Sequence, residues 1–348
     1  MSEAADNPLL RFNRLEKSAV DLFFASLRPL QGYFEAPDVA EVMVNHPSDI
    51  WIERRGVLSR LDLEIHPAMV NGAIHALASS VEKSARAGTG QGILNAGHGN
   101  LRIAAVMRPT SINGDAFAIR KHLDKSLSLD DYVNKGAFSL ARARDEQEHE
   151  FFPPGTEDEA LRQALREIVR ARKNILVAGG TSSGKTTLLN AIGAEIPETD
   201  RVITIEDTAE LKLTVPNLLR LLSNADTGVT TQMLVALCLR FRPDRIVVGE
   251  VRGGEAYDFI QALNTGHDGG LGSIHSSDAR GGLRRLESLA MLGVPSGTRW
   301  DIADLRENIA SCFHYVVHMK RTGELRHVSE ILEIRGADNG QYNLKRVF

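Results

Sequence analysis

The chain has 348 residues, a length that allows two domains with a core each. Hydrophobic residues at 43% and charged residues at 25% exclude disorder as the main state, and the formal charge of −4 gives no global reason to expect nucleic acid or an anionic membrane as partner. Only two cysteines occur, Cys238 and Cys312, each in an apolar stretch, so a disulfide framework and a cysteine-based zinc site are excluded and buried free thiols are expected.

The N-terminus, with Glu3 and Asp6, has no apolar run of leader length, and no window approaches the roughly 18–20 apolar residues of a membrane span. A cytoplasmic protein is expected, touching a membrane at most peripherally. Apolar positions over residues 14–29 have helical spacing and stop at Pro29. Short apolar runs over Val39–Val44, Asp49–Glu53 and Val57–Leu61, broken by Pro47 and by Arg55-Gly56, predict an antiparallel meander. A helix is expected over Ala68–Ser84, then a glycine-rich stretch over Gly88–Gly99, then strands over Leu101–Met107 and Ala116–Lys121. This pattern describes an α+β domain over residues 1–135.

The polar segment from Gly136 to Pro154, with Asp145–Glu150 nearly all acid or amide, reads as a linker, placed at 136–155. Thr156 and Glu159 have the spacing of a capping box, and Leu161, Ala164, Leu165, Ile168 and Val169 share one helical face, so a helix opens a second domain over 156–348. There the apolar runs Ile175–Ala178, Val202–Ile205, Ile246–Val248 and Leu271–Ile274 are continuous and alternate with helical patterns, as in a mostly parallel α/β sheet covered on both faces. Tyr315–Met319, Val328–Ile334 and Tyr342–Val347 read as added antiparallel strands.

Gly179-Gly180-Thr181-Ser182-Ser183-Gly184-Lys185-Thr186 fits the phosphate-binding pattern G-x-x-x-x-G-K-[ST], between a strand and a helix as the chemistry requires. Glycines let the backbone curl so that successive N–H groups face an anion, and the helix N-terminus adds its dipole. Lys185 suits the β- and γ-phosphates of ATP, and Thr186 offers a hydroxyl to Mg²⁺. Two acidic groups end strands nearby: Glu206-Asp207 with Glu210, and Glu250 after Ile246-Val247-Val248-Gly249. Glu206, Glu210 and Glu250 all remain open as the water-orienting base. His267 and His275 flank a glycine-rich strand entry without metal-ligand spacing. Arg240, Arg242, Arg245 and Arg252, and then Arg280, Arg284 and Arg285, are interleaved with acids and few aromatics, which favours salt bridges or phosphate contacts between subunits over DNA binding.

Taken together, Gly179–Thr187, Ile205–Glu210, Arg240–Arg245 running into Gly249–Gly253, and Thr265-Gly266-His267 through His275 resemble the Walker A, Asp, Walker B and His boxes of the secretion ATPases. The set is most similar to the conjugative-transfer branch of the type IV secretion traffic ATPase family, the TrbB type, and Glu41–Asn45, Val316–Met319 and Gly340–Tyr342 extend the likeness over nearly the whole chain. The resemblance implies an α/β, RecA-like P-loop C-terminal domain with a smaller α+β N-terminal domain in a two-tiered homo-hexameric ring, with ATP held between the two domains. It assigns Glu206, Asp207 and Glu210 to metal and water and places His267 and His275 near the γ-phosphate. It also matches Arg102, Arg120 and Arg240 to arginines that reach the nucleotide. Inner-membrane components of a secretion or conjugation machine are the implied partners, and direct nucleic-acid binding stays open. Ser273 departs from the usual threonine of the His box, and Met107-Arg108-Pro109 departs from the usual double proline. A tight-adherence pilus ATPase and a nucleotide-gated scaffold or DNA-binding ring are the alternatives. The type II branch fits less well, because it often carries a four-cysteine module.

Overall fold

The computed structural model describes residues 19, 21–80, 85–87, 89–98, 101–121, 158–298 and 300–348. The expected linker at 136–155 and the Thr156 cap lie outside the described residues. Strands β1 (Val39–His46), β2 (Asp49–Arg54), β3 (Val57–Arg60), β4 (Ile93–His98), β5 (Leu101–Val106) and β6 (Ala116–Lys121) form an antiparallel sheet in the order β3-β2-β1-β6-β5-β4. Arg55 and Gly56 both take positive φ, 53° and 81°, which is the turn that joins two right-twisted strands through two residues. The strand period of two then sorts the side chains. Val42 and Val44 face a core shared with Val70, Ile74 and Leu77 of a helix over Pro67–Ser80, whereas Met43, Ala104, Val106, Ala116 and Ala118 join the core of the second sheet.

That sheet contains β7 (Ile175–Gly179), β8 (Val202–Glu206), β9 (Leu218–Leu222), β10 (Arg245–Val251), β11 (Leu271–His275), β12 (Tyr315–Thr322), β13 (Leu325–Asp338) and β14 (Gln341–Arg346), in the order β14-β13-β12-β7-β11-β10-β8-β9. Strands β7 to β12 are mutually parallel, and β13 and β14 are antiparallel additions. The expectation for Tyr315–Met319 is therefore corrected: β12 runs parallel to β7, because the helix over Ile302–Cys312 returns the chain to the starting edge as a crossover. Three further differences have local causes. The first α-helix stops at residue 26, just ahead of Pro29 as expected, but the chain stays helical in type: Pro29 occupies the first turn of a 3₁₀ segment, Arg28–Leu30, where its missing N–H costs nothing, and a helix over Gln31–Glu35 follows. The glycine-rich stretch contains β4, an edge strand. Leu218–Leu222 forms β9, whose free edge is covered by the loop after β5: Leu222 N–H donates to Thr110 at 2.7 Å and Ile112 N–H to Arg220 at 3.1 Å. No helix among the described residues is long and apolar enough to cross a membrane. Both cysteines are buried free thiols.

The two sheets are also joined by a buried polar network at the amino-terminal ends of β8 to β10. Arg201 is fully buried; its Nε donates to the Phe241 carbonyl at 2.8 Å and its Nη1 to Asn45 Oδ1 at 2.8 Å and to Asn217. Burial pushes this guanidinium down to about 10, against the pull of Glu41 and Asp49. Arg242 donates to Glu53 at 2.5 Å and lies 3.9 Å from Glu41, which also faces Arg120 at 3.6 Å. Removing one member of such a network leaves its partners buried and unpaired. Arg201→Ala is expected to lower the unfolding free energy by about 3–5 kcal/mol, read as a lower urea midpoint. Burial raises the Glu41 carboxyl to about 7, against the pull of Arg120, Arg201 and Arg242. The native state then holds this proton more tightly than the unfolded chain, so stability falls as pH rises from about 4.5 to about 7. Glu41→Gln is expected to abolish that fall, measured by comparing denaturation midpoints at the two ends of this window.

Candidate functional site: a phosphate loop at the carboxyl edge of the parallel sheet

The central strands are mostly apolar and buried and run in parallel, so the polar residues at their carboxyl ends converge at one edge. At that edge β7 runs into the loop Gly179–Gly184, and the helix Lys185–Gly193 begins with no side-chain cap, leaving its first N–H groups free. Ser182 and Gly184 take left-handed φ values of 57° and 97°, the curl that turns backbone amides inward. Ser183 Oγ is buried without a hydrogen-bond partner. The Lys185 ammonium occupies the mouth of the loop, donating to the carbonyls of Gly179 and Gly180 at 3.1 Å each. Burial lowers its pKa, and the Glu250 carboxylate opposes that shift. Free amides, an orphan hydroxyl and a lysine held only by carbonyls form a cradle whose chemistry fits a phosphate chain.

The acids take distinct places. Glu206 is buried at the end of β8, and its Oε1 accepts from the backbone N–H groups of Glu210 and Leu211 at 2.8 Å each. It shapes the turn that carries Glu210. Glu210 itself is exposed and accepts from Thr186 Oγ1 at 3.1 Å. Asp207 and Glu250 face one another through Arg252, which donates to both, to Glu250 at 2.7 Å. Sequence reading did not give Arg252 this place; the signal available was its position two residues after Glu250, which puts both on one face of the chain. Thr181 Oγ1 and His275 Nε2 lie 2.9 Å apart, bringing the end of β11 onto the loop. Gly180 has open space beside its α-carbon, and Thr187 is exposed on the first turn of the helix. Among the described residues no cluster of histidine, cysteine and carboxylate stands ready for a metal. One hydroxyl with a few carboxylates suits a hard cation that keeps water and takes phosphate oxygens as further ligands.

Four expected site residues are elsewhere. His267 precedes β11, at the opposite end of that strand from His275, and its Nδ1 lies 3.1 Å from the Ala262 carbonyl. The two histidines flank the strand in sequence, and a strand separates its ends in space, so His267 does not join the loop. Arg240 precedes β10 at the amino-terminal edge. Arg102 and Arg120 are register partners on β5 and β6, and Arg120 is opposite Glu41, which ties both to the network at that same far edge. None of these arginines reaches the phosphate loop of its own chain.

Because one buried and one half-buried amide depend on the buried Glu206, Glu206→Ala is expected to cost about 2–3 kcal/mol of stability, while Glu206→Gln, which keeps the acceptor, costs less; thermal denaturation of both variants checks this.

Comparison with known proteins agrees with this geometry. The family described as "Type II/IV secretion system protein" matches residues 141–326. The conjugal transfer protein TrbB of Rhizobium radiobacter is 34% identical over 87% of this chain and 86% of its own length. The type IV secretion system protein VirB11 of Bartonella henselae is 30% identical over 91% of this chain and 94% of its own. The crystal structure of the VirB11 ATPase from the Brucella suis type IV secretion system, in complex with sulphate, superposes with a TM-score of 0.82 at 30% identity, covering 91% of this chain and 96% of that one. The chain belongs to the type II/IV secretion system protein family, within the type IV traffic ATPases that include TrbB and VirB11.

Proposed function

We propose that the chain is an ATP-hydrolysing motor that works as a homo-hexameric ring and powers conjugative pilus assembly or substrate transfer through a type IV secretion system. The observation that carries this reading is the convergence of Lys185, Thr186, Glu210, Asp207, Glu250 and His275 on one phosphate cradle. The conjugal-transfer and type IV secretion names of the relatives favour it over a tight-adherence pilus or a type II machine.

In this reading Gly180 to Thr187 wrap the phosphates of ATP, and Lys185 leaves the Gly179 and Gly180 carbonyls to meet the β- and γ-oxygens. Thr186, Asp207 and Glu250 hold Mg²⁺, which when bound neutralises charge developing on the transferred phosphoryl group. Glu206 is a positioning residue, which narrows the water-orienting base to Glu250 or Glu210. His275 senses the terminal phosphate through Thr181. Arg102, Arg120 and Arg240 lie at the far edge of their own chain, so they act on the nucleotide of an adjacent copy; an arginine so delivered is worth roughly 10³–10⁵ in rate. Hydrolysis then depends on assembly. The ring acts at the cytoplasmic face of the inner membrane, on membrane components of the machine.

Phosphate release and mass photometry on one sample test this. The wild type is expected to release phosphate and to show a species of six subunits with ATP, while Lys185→Ala and Glu250→Gln lose roughly 10²–10³-fold in turnover and still fold. Turnover that survives Lys185→Ala, or that is unchanged when the assembly is diluted to monomers, would overturn the proposal.

A further inference from the structure

Strands β12 and β13 outrun their neighbours. The last pair between β12 and β7 is Met319 with Gly179, and beyond it Lys320, Arg321 and Thr322 pair only with β13. This hairpin therefore projects past the sheet edge, beside the phosphate loop, and it touches that loop along its length. At the loop's start, a Cβ on Gly179 would fall 2.6 Å from the Met319 carbonyl oxygen. At its middle, Arg326 Nε donates to the Ser182 carbonyl at 3.0 Å. At its end, a Cβ on Gly184 would fall 3.2 Å from Arg326 Cδ and 3.4 Å from Met319 Cε.

The Ser182 contact governs the loop's chemistry. Ser182 is a non-glycine residue at φ 57°, a sparsely populated conformation that must be held from outside. A planar trans peptide points its C=O and the following N–H in opposite directions. With the Ser182 carbonyl drawn outward by a guanidinium, the Ser183 N–H turns into the loop, where it makes only a long bond of 3.4 Å to the Gly180 carbonyl. That amide is thereby presented to an incoming anion. Without the guanidinium the same peptide is free to turn its carbonyl oxygen inward, against a phosphate.

We infer that Arg326 is a positioning residue of the phosphate loop, and that the β12–β13 hairpin sets the nucleotide affinity of its own chain through the Ser182–Ser183 peptide. The inference rests on the reading of this loop as a nucleotide site. Arg326 is exposed and 144 residues from Ser182 in sequence, so the contact contributes little to the core and left no local pattern to read.

The test is titration of the full chain with a fluorescent, slowly hydrolysed ATP analogue, together with melting curves without nucleotide and steady-state kinetics. Arg326→Ala is expected to raise the dissociation constant roughly tenfold to a hundredfold, the range of a hydrogen bond to a charged group, and to raise KM with kcat nearly kept. Its melting temperature without nucleotide stays at the wild-type value, and Arg326→Lys, which can still donate to the carbonyl, recovers most of the affinity. Lys185→Ala serves as the reference. A wild type that fails to bind, or that binds no better than Lys185→Ala, sinks the nucleotide reading itself. Lysine-dependent binding with Arg326→Ala within about twofold of wild type overturns the inference alone. So does a loss of affinity that follows an equal loss of unliganded stability in both Arg326 variants.

Discussion

A loop that binds an anion through its own amides cannot use those amides to hold itself together. Around Gly179–Gly184 every other support is therefore external. Strand β7 anchors the entry, the helix Lys185–Gly193 fixes the exit, Thr181 meets His275, and Arg326 holds the Ser182 carbonyl. Even Lys185, which in the proposed site would leave for a phosphate, is held by two carbonyls and no carboxylate. A direct ion pair would cost its full strength when the lysine moved; carbonyls are cheaper to exchange for phosphate oxygens. Glu206 serves the same end by accepting from the backbone N–H groups of Glu210 and Leu211: if Glu210 meets a metal or a water as proposed, it needs a fixed turn beneath it.

The boxes were legible because each is local: a strand, a tight turn and a helix start within a few residues, with the chemistry written at the junction. The parallel strands were legible for a related reason, since a strand buried on both faces reads as an unbroken apolar run. Legibility failed where pairing is set by distant chain. Strand β9 owes its place to the Thr110–Ile112 loop as much as to its own residues. The direction of β12 follows from the crossover helix before it and cannot be read from Tyr315–Met319 themselves. His267 looked like a partner of His275 because eight positions seem close in sequence, whereas a strand carries them to opposite edges of a sheet. Arg326 could not have been found at all, for its partner lies in another motif.

The placement of the arginines follows from the polar network at the amino-terminal edge. Arg201 fixes Asn45 of β1 to Asn217 ahead of β9, and Arg242 reaches Glu53 of β2 from ahead of β10. The antiparallel sheet is thus fastened along one side of the parallel sheet, with Met43, Trp51, Ala104 and Val106 sharing its core. So fastened, it sets Arg120 beside Glu41 at that edge, with Arg102 as its register partner. An interface with apolar packing across its face and a buried guanidinium at its rim does not open cheaply, because each separated partner would be left unsatisfied.

That expense decides where motion can occur. In the ring proposed for this chain, energy released at the phosphate loop would have to separate either the two sheets of one chain or the contacts between chains. The first route breaks the Arg201 network and exposes a shared core; the second breaks only surface contacts, among them those of the far-edge arginines with a neighbouring nucleotide. Loss of the terminal phosphate removes the charge those arginines would meet, so the weaker boundary is also the one that hydrolysis addresses directly. In the proposed ring, a chain whose site took arginines from its neighbour would register that neighbour's nucleotide state, and turnover in one copy would become displacement of the next.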